Sequence, residues 1–556
     1  MYRELLNKNS KIIFKEEFNN FINFFEKVID EELYQECVDS FNDCENGDEY
    51  KQNNCQKNIA KNLLDALLHI KLGLVANPNI IKCFMDPTTA LPCEKENVKF
   101  YSQNIKSDKT QALAVSMACG MKDILLIQGP PGAGKTTTIL EIIAQLKNKK
   151  KNTKILITSG THVAVDNVME RIVRSKYQKD VYSELKLYDD IIRVRQTENE
   201  IEEDSKINMA HYSEEALFNK MLDSSRPYVK KIVNNYINIE KEENDYDNLI
   251  LSKYRSDIIL KKGIIGVTIN ALNSCRFREG VTFDYVIIDE VGKSNFAEIM
   301  FAARYAKKLI LIGDPKQLPS DVQYDFSNEE TTNLYYKKLN EIPFINYLFD
   351  KINKGCFLFL NKQYRMVRDI GSYISDTFYN GPVKLENGRQ DYYGNGLNYI
   401  DYDANKCKVV KRPLSNKMEV EIVKQLLSSN LKNFSKDKIS VITPYKDQMR
   451  LLRKELANNI LKKNINTVDA FQGQENEIVI FCCTRNIGKP TTFFQKDNRI
   501  NVAISRAKNQ IWLIGASDYI KNVKCLKKYM NFKSSLDGKM KCNKYIYDNS
   551  KIVKVN

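Results

Sequence analysis

Histidine is scarce in this sequence, with His69, His162 and His211 the three present among 556 residues. The N-terminal cysteines Cys37, Cys44, Cys55, Cys83 and Cys93 lack the C-x2-C spacing of a zinc site, so a structural zinc is not expected. The 13 cysteines of so long a chain, without an export signal, read as reduced thiols, with Cys482 and Cys483 in the core. Tryptophan occurs once, at Trp512, a core or rim position by its usual placement. No apolar run approaches the ~20 residues that a membrane span requires. The opening MYRELLNKNSKIIFKEEF breaks its apolar stretches with charge, unlike a secretory signal. A protein of the cytoplasm, or of the nucleus if eukaryotic, with no membrane partner, is expected.

What is present fits a large globular chain. At about 100 to 200 residues per domain there is room for two to four of them. Hydrophobic residues make up 43% and charged residues 28%, which excludes a wholly disordered or fibrous chain. Lys and Arg number 85 against 70 Asp and Glu, a net charge of +15, and this favours polyanionic partners through counterion release.

Residues 1–100 carry helical spacing, as in Phe18, Phe21, Ile22, Phe25, Ile29 and Leu33, and predict a helical N-terminal accessory or stalk region. From Leu125 the texture changes to short, evenly apolar runs, each followed by a turn and a helical pattern. Ile124–Ile127, Ile155–Ile157, Val286–Ile288 and Leu309–Ile312 fit buried parallel strands. The same texture returns at Ser440–Ile442, Ile478–Cys482 and Ile511–Ile514. The fold class expected is therefore α/β, with a first P-loop domain over 101–344, a helical insertion at about 176–260, a second sheet domain over 345–525 and a tail over 526–556. Within the insertion, Ser225 and Pro227 predict a helix start. Residues 384–406, rich in Gly, Asn, Asp and Tyr, predict a surface loop.

The sharpest signal is Gly129, Pro130, Pro131, Gly132, Ala133, Gly134, Lys135 and Thr136, followed by Thr137, between a strand and a helix. This G-x-x-x-x-G-K-[ST] spacing lets backbone N–H groups curl around phosphate oxygens, with Lys135 on the β- and γ-phosphates and Thr136 on Mg²⁺. Asp289 and Glu290 end the apolar run Val286–Ile288. They supply a second Mg²⁺ ligand and a base for water, which a kinase transferring to a hydroxyl does not need. After the next strand, Gln317 in Gly313–Pro319 offers an amide where a γ-phosphate can be sensed.

In this order, these residues resemble the superfamily 1 helicases, most closely the superfamily 1B group of RNA-surveillance and bacterial AAA-domain helicases. The motifs run from residue 111 to residue 516. The resemblance implies two tandem RecA-like domains, ATP and Mg²⁺ as cofactors, and 5′ to 3′ movement on single-stranded RNA or DNA. It gives Gln111 the adenine, and the Thr158–Asn167 stretch, with Ser159, Thr161 and His162, the nucleic-acid backbone. In Leu360–Met366 it gives Tyr364 the base of ATP and Arg365 its phosphates. Gly473 and Glu475 take nucleotide contacts, Thr443 and Thr467 are candidates to face the strand, and Tyr445 either does the same or caps a core edge. Arg506, in Arg499–Lys508, is the second arginine finger. Lying in the second domain, both arginines are expected to reach the γ-phosphate when the domains close, making hydrolysis conditional on closure.

The sequence departs from that family in two places. Val291, Gly292 and Lys293 stand where two small residues and a glutamine are usual. About 100 mostly helical residues precede the P-loop instead of a β-barrel, which points to a short-range translocase or remodeller. The leading expectation is an ATP-dependent helicase or translocase, with protein partners through residues 1–100 or 176–260. The alternative is an ATP-switched nucleic-acid clamp without unwinding; Glu290 and the two arginines disfavour a small-molecule kinase.

Overall fold

The computed structural model describes residues 73–177, 181–194, 209–213, 259–272, 280–318, 344–379, 396–407, 414–471, 473–533 and 541–555, besides a few shorter pieces. Residues 1–69, and the helix expected from Ser225, lie outside the described residues. The chain forms two compact units, the second running from Phe359 onward together with Gly129–Lys135 and Asp314–Pro319.

The first unit is built on strands β1 (Ile124–Gln128), β2 (Ile155–Ser159), β3 (Ile191–Arg193), β4 (Ile264–Thr268), β5 (Tyr285–Ile288), β6 (Leu309–Gly313) and β7 (Phe357–Phe359), in the order β3-β4-β2-β5-β6-β1-β7. From β3 to β1 each neighbouring pair is parallel. Every residue of β2, β4, β5 and β6 is buried, as expected of strands covered on both faces. Their helices are α1 (Pro78–Met85), α2 (Lys109–Gly120), α3 (Lys135–Lys149), α4 (His162–Tyr177), α5 (Phe296–Ala303) and α6 (Phe344–Lys351). Polar caps set several starts: Asp108 accepts from the N–H groups of Thr110 and Gln111 at 2.8 and 3.1 Å. Asn295 and Glu298 close a reciprocal capping box, both bonds 2.9 Å.

The second unit has β8 (Leu397–Tyr402), β9 (Ile439–Thr443), β10 (Ile465–Thr467), β11 (Asn476–Cys482), β12 (Ala507–Ile514), β13 (Asn543–Asp548) and β14 (Lys551–Val555), ordered β10-β9-β11-β12-β8-β13-β14. All pairs are parallel except β13 with β14. Around them lie α7 (Arg368–Phe378), α8 (Lys417–Ser428), α9 (Lys446–Glu455), α10 (Asp497–Ile504) and α11 (Lys524–Met530). Cys482 and Cys483 are in the core. No helix among the described residues is long and apolar enough to cross a membrane.

Four expectations need revision. The loop expected over 384–406 holds β8, whose Asn398 is satisfied by Tyr529 and Asn543 at 3.1 and 3.2 Å. The tail expected over 526–556 contributes β13 and β14. The stretch read as a helical insertion contains β3, paired with β4. Ile80, Cys83 and Phe84, placed by the sequence in a separate stalk, belong to the core of the first sheet. The ring of Phe84 meets Phe344 of α6 edge-on at 5.4 Å, so α6 also belongs to that core.

Burial pushes the Glu419 carboxyl, on α8, up to about 8, although Thr484 N–H and Tyr402 hydroxyl bonds oppose the rise. The folded value stands above the unfolded one of 4.5, so the stability it contributes is complete below that pH and is lost as pH rises through about 8. The slope is at most ~1.4 kcal/mol per pH unit. Glu419→Gln is expected to flatten the fall in denaturant stability between pH 5 and 8; an unchanged slope contradicts this assignment.

Candidate functional site

Gln128 at the end of β1 stands beside Gly313 at the end of β6, so the turns that follow leave from one edge of the sheet. The first turn is the phosphate loop, where Gly132 and Gly134 take φ of +75° and +78°, a left-handed region that costs glycine nothing. Lys135 Nζ donates to the Gly129 carbonyl at 3.0 Å, which holds the ammonium over the loop. Thr136 and Thr137 open α3 at its electropositive end, and Thr137 Oγ1 accepts from Arg171 at 2.6 Å. Gln111 is buried on α2.

Asp289 follows β5, is 4% exposed, and donates its N–H to the Thr158 carbonyl at 2.9 Å. Its carboxylate accepts the Glu290 N–H at 2.8 Å. Glu290 itself has a φ of 50°, a left-handed conformation that costs a non-glycine residue ~1 kcal/mol or more. The strained turn places Glu290 directly after Asp289 at the end of β5. Gly313 makes that turn possible, because a Cβ there would stand 2.8 Å from Val291 N and 2.9 Å from its Cγ1. The loop's N–H donors and its lysine are of the kind that suits phosphate oxygens, and a hydroxyl and a buried carboxylate are of the kind that suits magnesium. Thr136 and Asp289 are the hard oxygen ligands on offer.

In the second unit the turn of Asp314 and Gln317 is bound in place by α10 and its surroundings. Asn498 Nδ2 donates to the carbonyls of Pro315 and Gln317 at 3.2 and 2.7 Å, and Asn501 Nδ2 to that of Lys316 at 2.8 Å. The Tyr379 hydroxyl donates to Asp314 at 2.5 Å. Gln317 Nε2 donates to Asp314 at 3.0 Å while its Oε1 accepts from Arg506 at 3.2 Å. Arg506, 3% exposed, also donates to the carbonyls of Val502 and Gln474 at 3.1 and 3.4 Å. The structure therefore joins Gln317 to Arg506.

Arg365 pairs with Glu475 and donates to the Ser505 carbonyl at 3.2 Å. Lys508 reaches the same carboxylate at 3.0 Å. Burial alone would raise the Glu475 carboxyl; Arg365 and Lys508 outweigh it and hold it below the usual carboxylate range. Tyr364 N–H donates to the Gly132 carbonyl at 2.8 Å, and its side chain is 46% exposed. Gly473 has a φ of +84°.

The residues expected to face nucleic acid divide into two groups. Thr161, Tyr445 and Thr467 are half-buried, at the ends of strands. Ser159 and Thr443 are fully buried; Ser159 Oγ accepts the Thr161 N–H at 3.4 Å, and Thr443 Oγ1 pairs with Thr484 Oγ1 at 2.9 Å. As direct side-chain contacts these two are corrected to supports of their neighbours. His162 Nδ1 lies 3.2 Å from the buried Arg193, which also pairs with Asp166 at 2.6 Å. One ring nitrogen of His162 is thus used to fix the start of α4.

Sequence reasoning missed Arg193, Tyr379 and Asn498. Asn498 and Asn501 stand three apart just ahead of Arg506, a spacing that puts both amides on one helix face and could have signalled their role. Arg193 and Tyr379 carry no such signal.

Family comparisons match the AAA domain to residues 345–518 and, in a second form, to 106–251 and 195–323. An ATP-dependent helicase of Methanocaldococcus jannaschii is 28% identical over 81% of this chain and 74% of its own length. The DNA polymerase alpha-associated DNA helicase A of Schizosaccharomyces pombe is 28% identical over 76% of this chain and 65% of its own. Helicase Sen1 of Saccharomyces cerevisiae is 27% identical over 77% of this chain, which spans 23% of that protein.

Gly313→Ala is expected to displace the strained turn through its clash with Val291. Overpacking of this kind costs about 1–3 kcal/mol, and ATP turnover should fall at least about tenfold in protein that still folds. Thermal unfolding and steady-state hydrolysis check this; wild-type turnover contradicts it.

Proposed function

Because the chain belongs to the superfamily 1 helicases, whose members hydrolyse ATP, we propose that it is a motor that moves on single-stranded nucleic acid. The observation that carries the reading is the bond between Gln317 and Arg506, which ties a phosphate-sensing amide to an arginine of the second sheet. Lys135 and the loop N–H groups bind the β- and γ-phosphates. Thr136 and Asp289 would hold Mg²⁺, which when bound would neutralise charge on the phosphates. Glu290 takes the proton of the attacking water. Arg365 and Arg506 exchange their present acceptors for γ-phosphate oxygens, and Tyr364, with its exposed ring, stacks on the adenine.

The strand is proposed to contact the strand ends of each unit, at Thr161 in the first and at Tyr445 and Thr467 in the second. Occupation of the second unit's strand ends and the position of Arg506, in the link between α10 and β12, then depend on each other. Movement from 5′ to 3′ is the direction the family resemblance implies, and the net charge of +15 supports a polyanionic track. Lys293, in place of the family's glutamine, favours a second reading, a clamp that turns over ATP without separating strands.

Steady-state hydrolysis measured without polymer, with single-stranded RNA and with single-stranded DNA tests the proposal, Lys135→Ala being the blank. Strong stimulation by one polymer is expected and names the track; no stimulation by either contradicts the motor. Arg365→Ala or Arg506→Ala should each lower turnover by about 10³-fold or more, with ATP affinity changed less than about tenfold. Equal losses in affinity and turnover would place the arginines in ground-state binding instead.

A further inference from the structure

The chain leaving β11 forms an arch over residues 484–491 that the motifs above leave without a role. Strands β9, β10 and β11 are parallel, with Thr443 opposite Thr467 and Ile442 opposite Phe481. The arch therefore springs from the same sheet edge as Tyr445 and Thr467. Its stem is fixed by buried bonds. Thr484 takes a φ of 68°, a costly conformation for a β-branched residue. Its N–H donates to both oxygens of Glu419 at 2.8 Å, and its carbonyl accepts from Asn416 at 2.9 Å. Asn486 donates to the carbonyls of Ala404 and Cys407 at 3.2 and 3.0 Å.

Arg485 donates to the Tyr445 hydroxyl at 3.2 Å, and that hydroxyl meets Thr491 Oγ1 at 3.0 Å, so both feet of the arch rest on Tyr445. The tip is exposed. Ile487 is 65% accessible, Gly488 beside it has φ of +92° with open space around it, and Lys489 is exposed. A single exposed aliphatic residue is ordinary on a protein surface. Here it crowns a pinned support, with a cation on each side, on the edge assigned to the strand.

We infer that this arch is a base-contacting element, in which Ile487 packs against the face of a nucleobase of the bound single strand while Arg485 and Lys489 attract the flanking phosphates. The inference rests on the nucleic-acid reading above. Apolar side chains serve elsewhere as wedges against base steps, and a base platform contributes to affinity without reading sequence. Ile487 thereby grips the track through its bases, whereas Thr161 and Thr467 grip it through its backbone.

The test uses the full chain and fluorescence anisotropy on labelled oligo-dT and oligo-U, and on an abasic oligomer of the same backbone as whichever binds. Ile487→Ala should weaken binding to the base-bearing strand about three- to tenfold, leave the abasic strand unchanged, and be rescued by Ile487→Leu. Equal losses on both strands, or none on either, overturn the inference while the nucleic-acid reading stands. Wild-type protein that binds none of these polymers overturns both. Because Ile487 is exposed, the melting temperature is expected to stay unchanged, which separates lost contact from lost fold.

Discussion

The hydrogen bond from Arg506 to Gln317 is the contact on which the account of the site depends. A guanidinium taken out of water must be given acceptors, and Arg506 has the carbonyls of Val502 and Gln474 as well as the Gln317 amide oxygen. None of these three acceptors carries full charge. Arg365 is treated differently, since Glu475 faces it and Lys508 shares that carboxylate. Arg506 thus reaches three neutral acceptors, and Arg365 faces a carboxylate.

Sheet geometry decides where the chemistry can sit. Parallel strands release their connections at one edge, and ligands of such sheets bind outside the carboxyl ends of the strands. The phosphate loop, the Asp289–Glu290 turn and the segment from Asp314 to Gln317 leave β1, β5 and β6 at that edge, and Thr161 follows β2 there. The second sheet repeats the rule with Thr443, Thr467 and Thr484. Close packing then refines the placement: Gly313 leaves room for the backbone of Val291, and without that room Glu290 could not hold its left-handed turn.

Much of this was legible in the sequence, for stated physical reasons. Ile124–Ile127 and Leu309–Ile312 announced buried strands because residues covered on both faces need no polar alternation. The phosphate loop was legible because its glycines and lysine are required by geometry. β8 was not, since Asn398 and Asp401 give it the look of a loop, and the partners that satisfy Asn398, Tyr529 and Asn543, lie far along the chain. Three residues of β3 are too few to show a period. Within the site, residue types signalled the chemistry, but not that Thr443 and Ser159 are buried. Nor could they show that Arg193 engages His162, since such contacts depend on residues far apart in sequence.

The claim that Gln317 and Arg506 act as one unit is tested most directly by a double-mutant cycle on polymer-stimulated ATP turnover, using Gln317→Ala, Arg506→Ala and the double variant. The account predicts that the double variant loses little more than Arg506→Ala alone, because removing either partner breaks the same contact. Losses that simply add would show that the amide and the arginine work independently, and would contradict it.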